Sequence, residues 1–504
     1  MAKQTVQLPL TLPPREPGAP ASRWLYDQLR AAILEGRLRP GARLPATRDL
    51  ARHYGLARGT IVEGFEQLKA EGYLEASVGS GTYVARVLPD RLLEVRSARA
   101  MPAASPASEP PPARRLSDYA RRVRPFEEIT AGPLRAFRAN RPALDLFPTT
   151  LWAQVAARRL RRASASLLLG CGPLGYRPLQ EAVAGYLTTS RGVKCVPEQV
   201  AIVSGVQEAL DLVARLVVNP GDRVAVENPG YIGATLVFEA SGATVAPVPV
   251  DDEGLSLSHS ALRGARLVYV TPAHQFPLGV SMSLPRRLAL LAWARASGAL
   301  LFEDDYDSEY RYSGRPLPAL QGLDRHGLVL FAGSFSKVLF SSLRLGYLVV
   351  PADLVAGVAA TLSITQRHAP LLEQAVLADF ITGGHFGRHI RRMREVYAER
   401  LAVLLETAAE RLAGLLEISQ IEAGLQTVGW LPGGIDGETA TQAAAERGVE
   451  VSPLGRYARG PMARDGLLLG FAAVDPPAIR RGVEELAVAL EGVVGGAATS
   501  RGAL

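Results

Sequence analysis

Between Met101 and Arg115 the chain carries Pro102, Pro106, Pro110, Pro111 and Pro112 among Ala and Ser. Such a stretch is semi-rigid and too poor in apolar side chains to join a core. Whatever folds before it therefore folds apart from whatever folds after it. The pattern divides the 504 residues into an N-terminal arm (1–20), a compact head (21–87), a Pro- and Arg-rich linker (88–135), a large body (136–492) and a short tail (493–504). Hydrophobic content of 48% with 21% charged residues suits a soluble globular protein. The apolar stretches near Leu288–Leu301 and Gly346–Leu362 are interrupted by Arg295, or by Pro351 and Asp353, so no membrane span is predicted. No secretory signal is evident, and Cys171 and Cys195 are too few for a disulfide framework. Both fit reduced thiols, and a cytoplasmic location is expected.

Charge is unevenly placed. Residues 1–87 hold 12 Lys and Arg against 8 Asp and Glu, whereas residues 136–504 hold 35 of each. A positive front end on a neutral body suggests a polyanion partner. Within the head, Leu25, Leu29 and Ile33 recur at helical spacing behind Ser22, a residue suited to capping. Thr47 is placed to cap a second helix that Gly55 stops, and Thr60 to open a third carrying Ile61, Phe65 and Leu68. Tyr73–Val84 reads as a hairpin tipped by Gly79-Ser80-Gly81. Three helices and a hairpin make a winged helix-turn-helix.

In that motif the second helix of the turn enters the major groove with its N-terminal residues on bases or phosphates. Here Arg58 and Thr60 occupy that start, and Arg48 and Gly79 at the wing tip are the other expected contacts. The segments Leu44-Pro45-Ala46-Thr47-Arg48-Asp49-Leu50-Ala51, Gly55-Leu56-Ala57-Arg58-Gly59-Thr60-Ile61-Val62 and Gly79-Ser80-Gly81-Thr82-Tyr83-Val84 resemble the GntR superfamily's DNA-binding domain. That resemblance implies a double-stranded DNA operator as partner. A basic cluster, Arg121, Arg122 and Arg124, closes the linker and reads as a solvated face.

Past the linker, strand-like runs alternate with helical ones: Val200–Val203, Arg223–Val226, Leu267–Val270, Ala299–Phe302 and Leu328–Phe331. This pattern predicts an α/β domain with a largely parallel sheet. One of only four lysines, Lys337, follows the last of these runs in Gly333-Ser334-Phe335-Ser336-Lys337. A lysine amine forms a Schiff base and arginine does not. Ser334, Ser336 and Arg344 are suited to a phosphate, Asp304 to a pyridinium nitrogen and Tyr306 to a ring hydroxyl. Together they match the needs of pyridoxal phosphate. No metal site is predicted.

The body resembles fold-type I, aspartate-aminotransferase-like proteins, and joined to a GntR-type head the chain resembles the MocR/GabR-type regulators. The motifs are Gly175-Tyr176-Arg177-Pro178-Leu179, Ser204-Gly205-Val206-Gln207, Asn228-Pro229-Gly230-Tyr231, Thr271-Pro272-Ala273-His274-Gln275-Phe276-Pro277-Leu278-Gly279 and Ser452-Pro453-Leu454-Gly455-Arg456-Tyr457. The resemblance implies a homodimer in which Tyr176 reaches the partner's phosphate. It implies that amides at Gly205 and Val206 hold the phosphate, as a helix N-terminus favours. Tyr231 would stack on the ring, either His274 or Gln275 would face the ring hydroxyl, and Arg456 would grip an effector carboxylate. The leading reading is thus a pyridoxal-phosphate-dependent transcription regulator that senses an amino compound or the cofactor itself. The alternatives are an active aminotransferase with an appended DNA-binding head, and a body that has lost its cofactor and only dimerises.

Overall fold

The computed structural model describes residues 12–15, 20–77, 81–86, 114–126, 134–313 and 318–501. Gly79, most of the expected arm and residues 88–113 of the expected linker lie outside them. The chain forms two compact units, Met1–Arg114 and Arg115–Leu504.

In the head, helices α1 (Ala21–Leu34), α2 (Thr47–Tyr54) and α3 (Arg58–Ala70) precede strands β1 (Leu74–Ser77) and β2 (Gly81–Val84). The strands pair antiparallel from Leu74 opposite Val84 to Ser77 opposite Gly81. Leu25, Leu29, Ile33, Leu50, Ile61, Phe65, Leu68 and Val84 make the core. At Gly64 α3 faces Leu25 of α1 at ordinary contact distance, 3.5 Å from where a Cβ would stand. Gly55 ends α2 in the left-handed conformation (φ +63°), as expected of it.

Three expected caps are displaced. Pro20 precedes α1, Ala46 precedes α2 and Ala57 precedes α3, none with a side-chain cap. Ser22, Thr47 and Thr60 therefore lie inside the first turns, and packing of the apolar face defines the helices where capping does not. The arm is not wholly separate either: Leu12 is buried in the head's core. Phe65→Ala should destabilise the head by about 3–5 kcal/mol. In a two-transition melt followed by calorimetry, the head's transition should fall and the body's should stay. A head transition at its original temperature would show that Phe65 does not carry the core.

The body is built on an eight-stranded sheet in the order β3-β10-β9-β8-β7-β4-β5-β6. The strands are β3 (Val200–Val203), β4 (Arg223–Asn228), β5 (Thr244–Asp251), β6 (Gly254–Leu255), β7 (Ala265–Val270), β8 (Leu300–Asp305), β9 (Val329–Ser334) and β10 (Gly346–Val349). Strands β9, β8, β7, β4 and β5 run parallel, and β10 is antiparallel to both β9 and β3. Their Val-, Leu- and Phe-rich runs are buried because apolar clusters cover both faces of the sheet. The C-terminal ends of β3, β4, β7, β8 and β9 thus share one edge with the N-terminal end of β10. Ligands of open α/β sheets bind at this edge.

A second sheet, β11 (Glu417–Ile418), β12 (Gln426–Trp430), β14 (Gly466–Gly470) and β13 (Ser452–Pro453), is antiparallel. It forms the smaller C-terminal part, reached through the long helix His385–Arg411. The final helix continues through Arg501, past the expected tail boundary. Among the described residues no helix is long and apolar enough to cross a membrane.

The basic cluster divides. The helix Asp118–Arg122 packs on the body, Arg122 donates to the Ala240 carbonyl (3.2 Å), and Arg124 lies 3.6 Å from Glu239. Ala240 and Glu239 are in the last turn of the helix Ile232–Ser241, whose free carbonyls attract cations. Arg122 therefore fastens the chain to the body, whereas Arg121, paired with Asp118 and the Leu116 carbonyl beside it, and Arg124 stay exposed, as expected of a solvated face.

Candidate functional site

Lys337 sits on the short helix Phe335–Val338 that follows β9, where the Ser334 hydroxyl accepts from the Ser336 amide (3.2 Å). Its Nζ donates to the carbonyl of Asn140 (3.0 Å). Burial, then Arg141, lowers the Lys337 amine to about 8, while Asp307 and Asp304 pull it upward. Asp304, at the end of β8, is 4% exposed and accepts a hydrogen bond from Tyr269 through Oδ2 (2.7 Å). Burial raises its carboxyl to about 7. Its other oxygen, Oδ1, is buried with no hydrogen-bond partner, and so is the Ser336 hydroxyl. Native interiors leave few such atoms unpaired.

Gly205 (φ +129°) turns the chain from β3 into the helix Val206–Val217. The exposed Arg344 precedes β10 in the left-handed region (φ +50°), a conformation that costs a non-glycine residue energy and often marks a working site. Its guanidinium lies 3.8 Å from where a Gly205 Cβ would stand. A cation over a helix N-terminus with an open glycine is a seat for a phosphate.

Tyr231 begins the helix Ile232–Ser241, with its ring 6.4 Å from Tyr269 and 6.0 Å from Phe276. Gly233 makes room for it, because a Cβ there would come within 2.5 Å of the phenol ring. Burial and Asp304 push the Tyr231 hydroxyl well up, with Arg344 opposing. Arg456 is exposed on the turn Leu454–Tyr457. That turn is laced to the tyrosine's loop: Gly230 donates to the Tyr457 carbonyl (3.0 Å), and the Arg459 amide donates to Asn228 (2.7 Å).

His274 and Gln275 make different sets of contacts. Gln275 donates to the carbonyls of Pro229 (2.9 Å) and Phe276 (2.6 Å) and accepts from the Leu278 amide (3.0 Å). Its polar atoms brace the loop. His274 instead stands 3.0 Å from the Tyr306 hydroxyl and 3.0 Å from Asp307. Tyr176 has its amide held by Gln374 of its own chain (2.8 Å).

Sequence reasoning missed Asp307, Tyr269, Asn140 and Arg141. Asp307 had a visible signal, a further acid directly after Asp304-Asp305-Tyr306. Asn140 adopts φ +61°, which asparagine tolerates better than most residues, but nothing local announced that Lys337 would use its carbonyl. In the head, Arg48 and Arg58 are exposed and Thr60 is half-buried. The uncapped N-terminus of α3 leaves its first amides for an anion.

The fold and these sites define a transcription regulator made of a winged helix-turn-helix head and a fold-type I aminotransferase-like body. The family description "Bacterial regulatory proteins, gntR family" matches residues 21–84, and "Aminotransferase class I and II" matches residues 137–453. The chain belongs to the MocR-type regulators of the GntR family. It is similar to the probable rhizopine catabolism regulatory protein MocR of Rhizobium meliloti, 41% identical over 473 residues and 94% of each chain. It is also similar to the pyridoxine biosynthesis transcriptional regulator PdxR of Corynebacterium glutamicum, 32% identical over 96% of this chain and 98% of the other. Among solved structures, the α-aminoadipate aminotransferase LysN of Thermus thermophilus shares 28% identity. The TM-score is 0.68 over 75% of this chain and 98% of that one.

Proposed function

We propose that the body binds pyridoxal phosphate at Lys337 as a homodimer and reports an amino compound, or the cofactor itself, to the DNA-binding head. The observation that carries this reading is the pairing of a lysine amine lowered to about 8 with a buried, half-unpaired Asp304. Bound pyridoxal phosphate supplies an electrophilic carbon and an electron-accepting ring. Asp304 Oδ1 would take the ring N–H, and Ser334, Ser336, Arg344 and the amides of Gly205 and Val206 would hold the phosphate. Tyr231 would cover one ring face and Tyr306 would address the ring oxygen. Support for a dimer comes from Leu160, Leu168 and Leu169, which are 51%, 67% and 87% exposed shortly before Tyr176. Leucines this exposed are candidates for burial against a second subunit.

Arg456 would receive the effector's carboxylate while its amine approaches Lys337. A planar, permanently charged guanidinium suits that task. Arg456→Ala should leave cofactor uptake and DNA recognition in place and weaken the response to amino acids tenfold or more, on the order of the 1.5–3 kcal/mol of a charged hydrogen bond. The test is a parallel titration of visible absorbance and DNA footprint with a panel of amino compounds. An unchanged response in both would remove Arg456 from the effector site, and a footprint that follows cofactor occupancy alone would make pyridoxal phosphate the signal.

A second reading, an aminotransferase with an appended DNA-binding head, is favoured by one observation. An amine at about 8 readily takes and gives a proton near neutral pH. Sustained two-substrate turnover would select it.

A further inference from the structure

The loop after β7 and the segment after β8 bring three side chains together below the ring site. His274 Nδ1 lies 3.0 and 3.2 Å from the two oxygens of Asp307 and 3.0 Å from the Tyr306 hydroxyl. His274 and Asp307 are 3% and 1% exposed. A carboxylate only accepts, so the proton between imidazole and Asp307 sits on Nδ1. Asp307 Oδ2 accepts a further bond from the Leu425 amide (3.2 Å), which fixes the carboxylate. The far nitrogen, Nε2, is buried with no partner, and a proton there would be a donor with nothing to receive it. The imidazole is also sterically confined: a Cβ on Gly424 would stand 2.1 Å from its Cε1, and one on Gly279 3.2 Å from its Nε2.

This arrangement has a consequence for Tyr306. Its oxygen faces a nitrogen that already carries a proton, so it accepts a share of that N–H. Its own proton is then free to point elsewhere. The charged and titratable groups around it are Asp307, Asp304, Asp305 and Glu227, with Lys337 beyond Asp304 and Arg141 and Arg344 around Lys337. Burial, then Asp307 and the other acids, holds the phenol well above its ordinary range, so Tyr306 keeps its proton throughout the working pH range.

We propose that Asp307 and His274 are positioning residues that turn the Tyr306 hydroxyl into a donor for the ring oxygen of bound pyridoxal phosphate, and thereby set the pH at which the Lys337-linked cofactor changes colour. This rests on the preceding reading of the site. A donor aimed at the ring oxygen favours its charged form, so it keeps the colour change at low pH. Accepting the imidazole N–H makes the phenol a stronger donor. Without the pair the midpoint rises.

The experiment is a pH titration of visible absorbance in holo-protein, comparing wild type with His274→Phe, Tyr306→Phe, the double variant and Asp307→Asn. His274→Phe should raise the midpoint by about one unit, a tenfold change in proton affinity. The double variant should match Tyr306→Phe alone, because His274 acts through the phenol. Asp307→Asn keeps the side chain's shape and should move the midpoint in the same direction by less. It decides the matter if His274→Phe does not fold. A midpoint unchanged in the soluble variants overturns the proposal, as do His274 and Tyr306 shifts that simply add. A wild-type protein that takes up no cofactor overturns the underlying reading, and a coloured wild type with unshifted variants overturns this inference alone.

Discussion

Lys337→Ala should abolish covalent capture of pyridoxal phosphate, leaving only weak, reversible binding through the phosphate seat. Condensation with an aldehyde needs an uncharged amine. At pH 7.5 an amine at about 8 is roughly one-quarter neutral, whereas an ordinary lysine near 10.4 is neutral at only about 0.1%. The buried position thus raises the reactive fraction on the order of 200-fold over that of an ordinary exposed lysine. The sign of the pH dependence follows. Below 8 the amine is charged and capture slows tenfold per unit; above 8 the rate reaches a plateau. Stopped-flow absorbance between pH 6 and 10 would show this, and borohydride treatment should fix the cofactor on the peptide that contains Lys337. Adduct on the Lys194 peptide, or a rate still climbing steeply at pH 10, would remove Lys337 from its role.

The candidate cofactor site was legible to the extent that its residues are local. Ser334, Ser336 and Lys337 lie within one turn, and Asp304 and Tyr306 close one strand, so residue types and a strand end sufficed to place them. The remainder depends on contacts between distant segments. Asn140 meets Lys337 across 197 positions, and Asp307 meets His274 across 33, and no periodicity encodes either. Gln275 shows how the fold adds a role that residue type does not announce. Its residue type suits a ligand contact, but the loop's own carbonyls are buried and need donors, and the side chain supplies them. The displaced caps in the head have a similar cause. Ser and Thr were read as helix starts by their intrinsic preference, whereas the burial of Leu25, Leu50 and Ile61 sets where each helix begins.

Arg58→Ala should remove specific operator binding and leave the cofactor spectrum unchanged. Arg58 is the first residue of α3, exposed, and it stands where the recognition helix presents its N-terminus to the groove. Loss of one bidentate base contact costs about 1–3 kcal/mol. In the proposed homodimer two heads meet two half-sites, so the loss doubles to about 2–6 kcal/mol, or roughly 30-fold to more than 10⁴-fold in affinity. Arg48, exposed at the start of α2, serves as the comparison. If it contacts phosphate alone, Arg48→Ala should weaken all sequences alike and flatten the salt dependence, because one fewer counterion is released. Arg58→Ala should instead erase the difference between operator and random DNA. Fluorescence anisotropy across a salt series, with operator and scrambled duplexes side by side, separates the two. Equal losses on both duplexes for Arg58→Ala would make it a backbone contact, and an undiminished operator affinity would place the recognition surface elsewhere on the head.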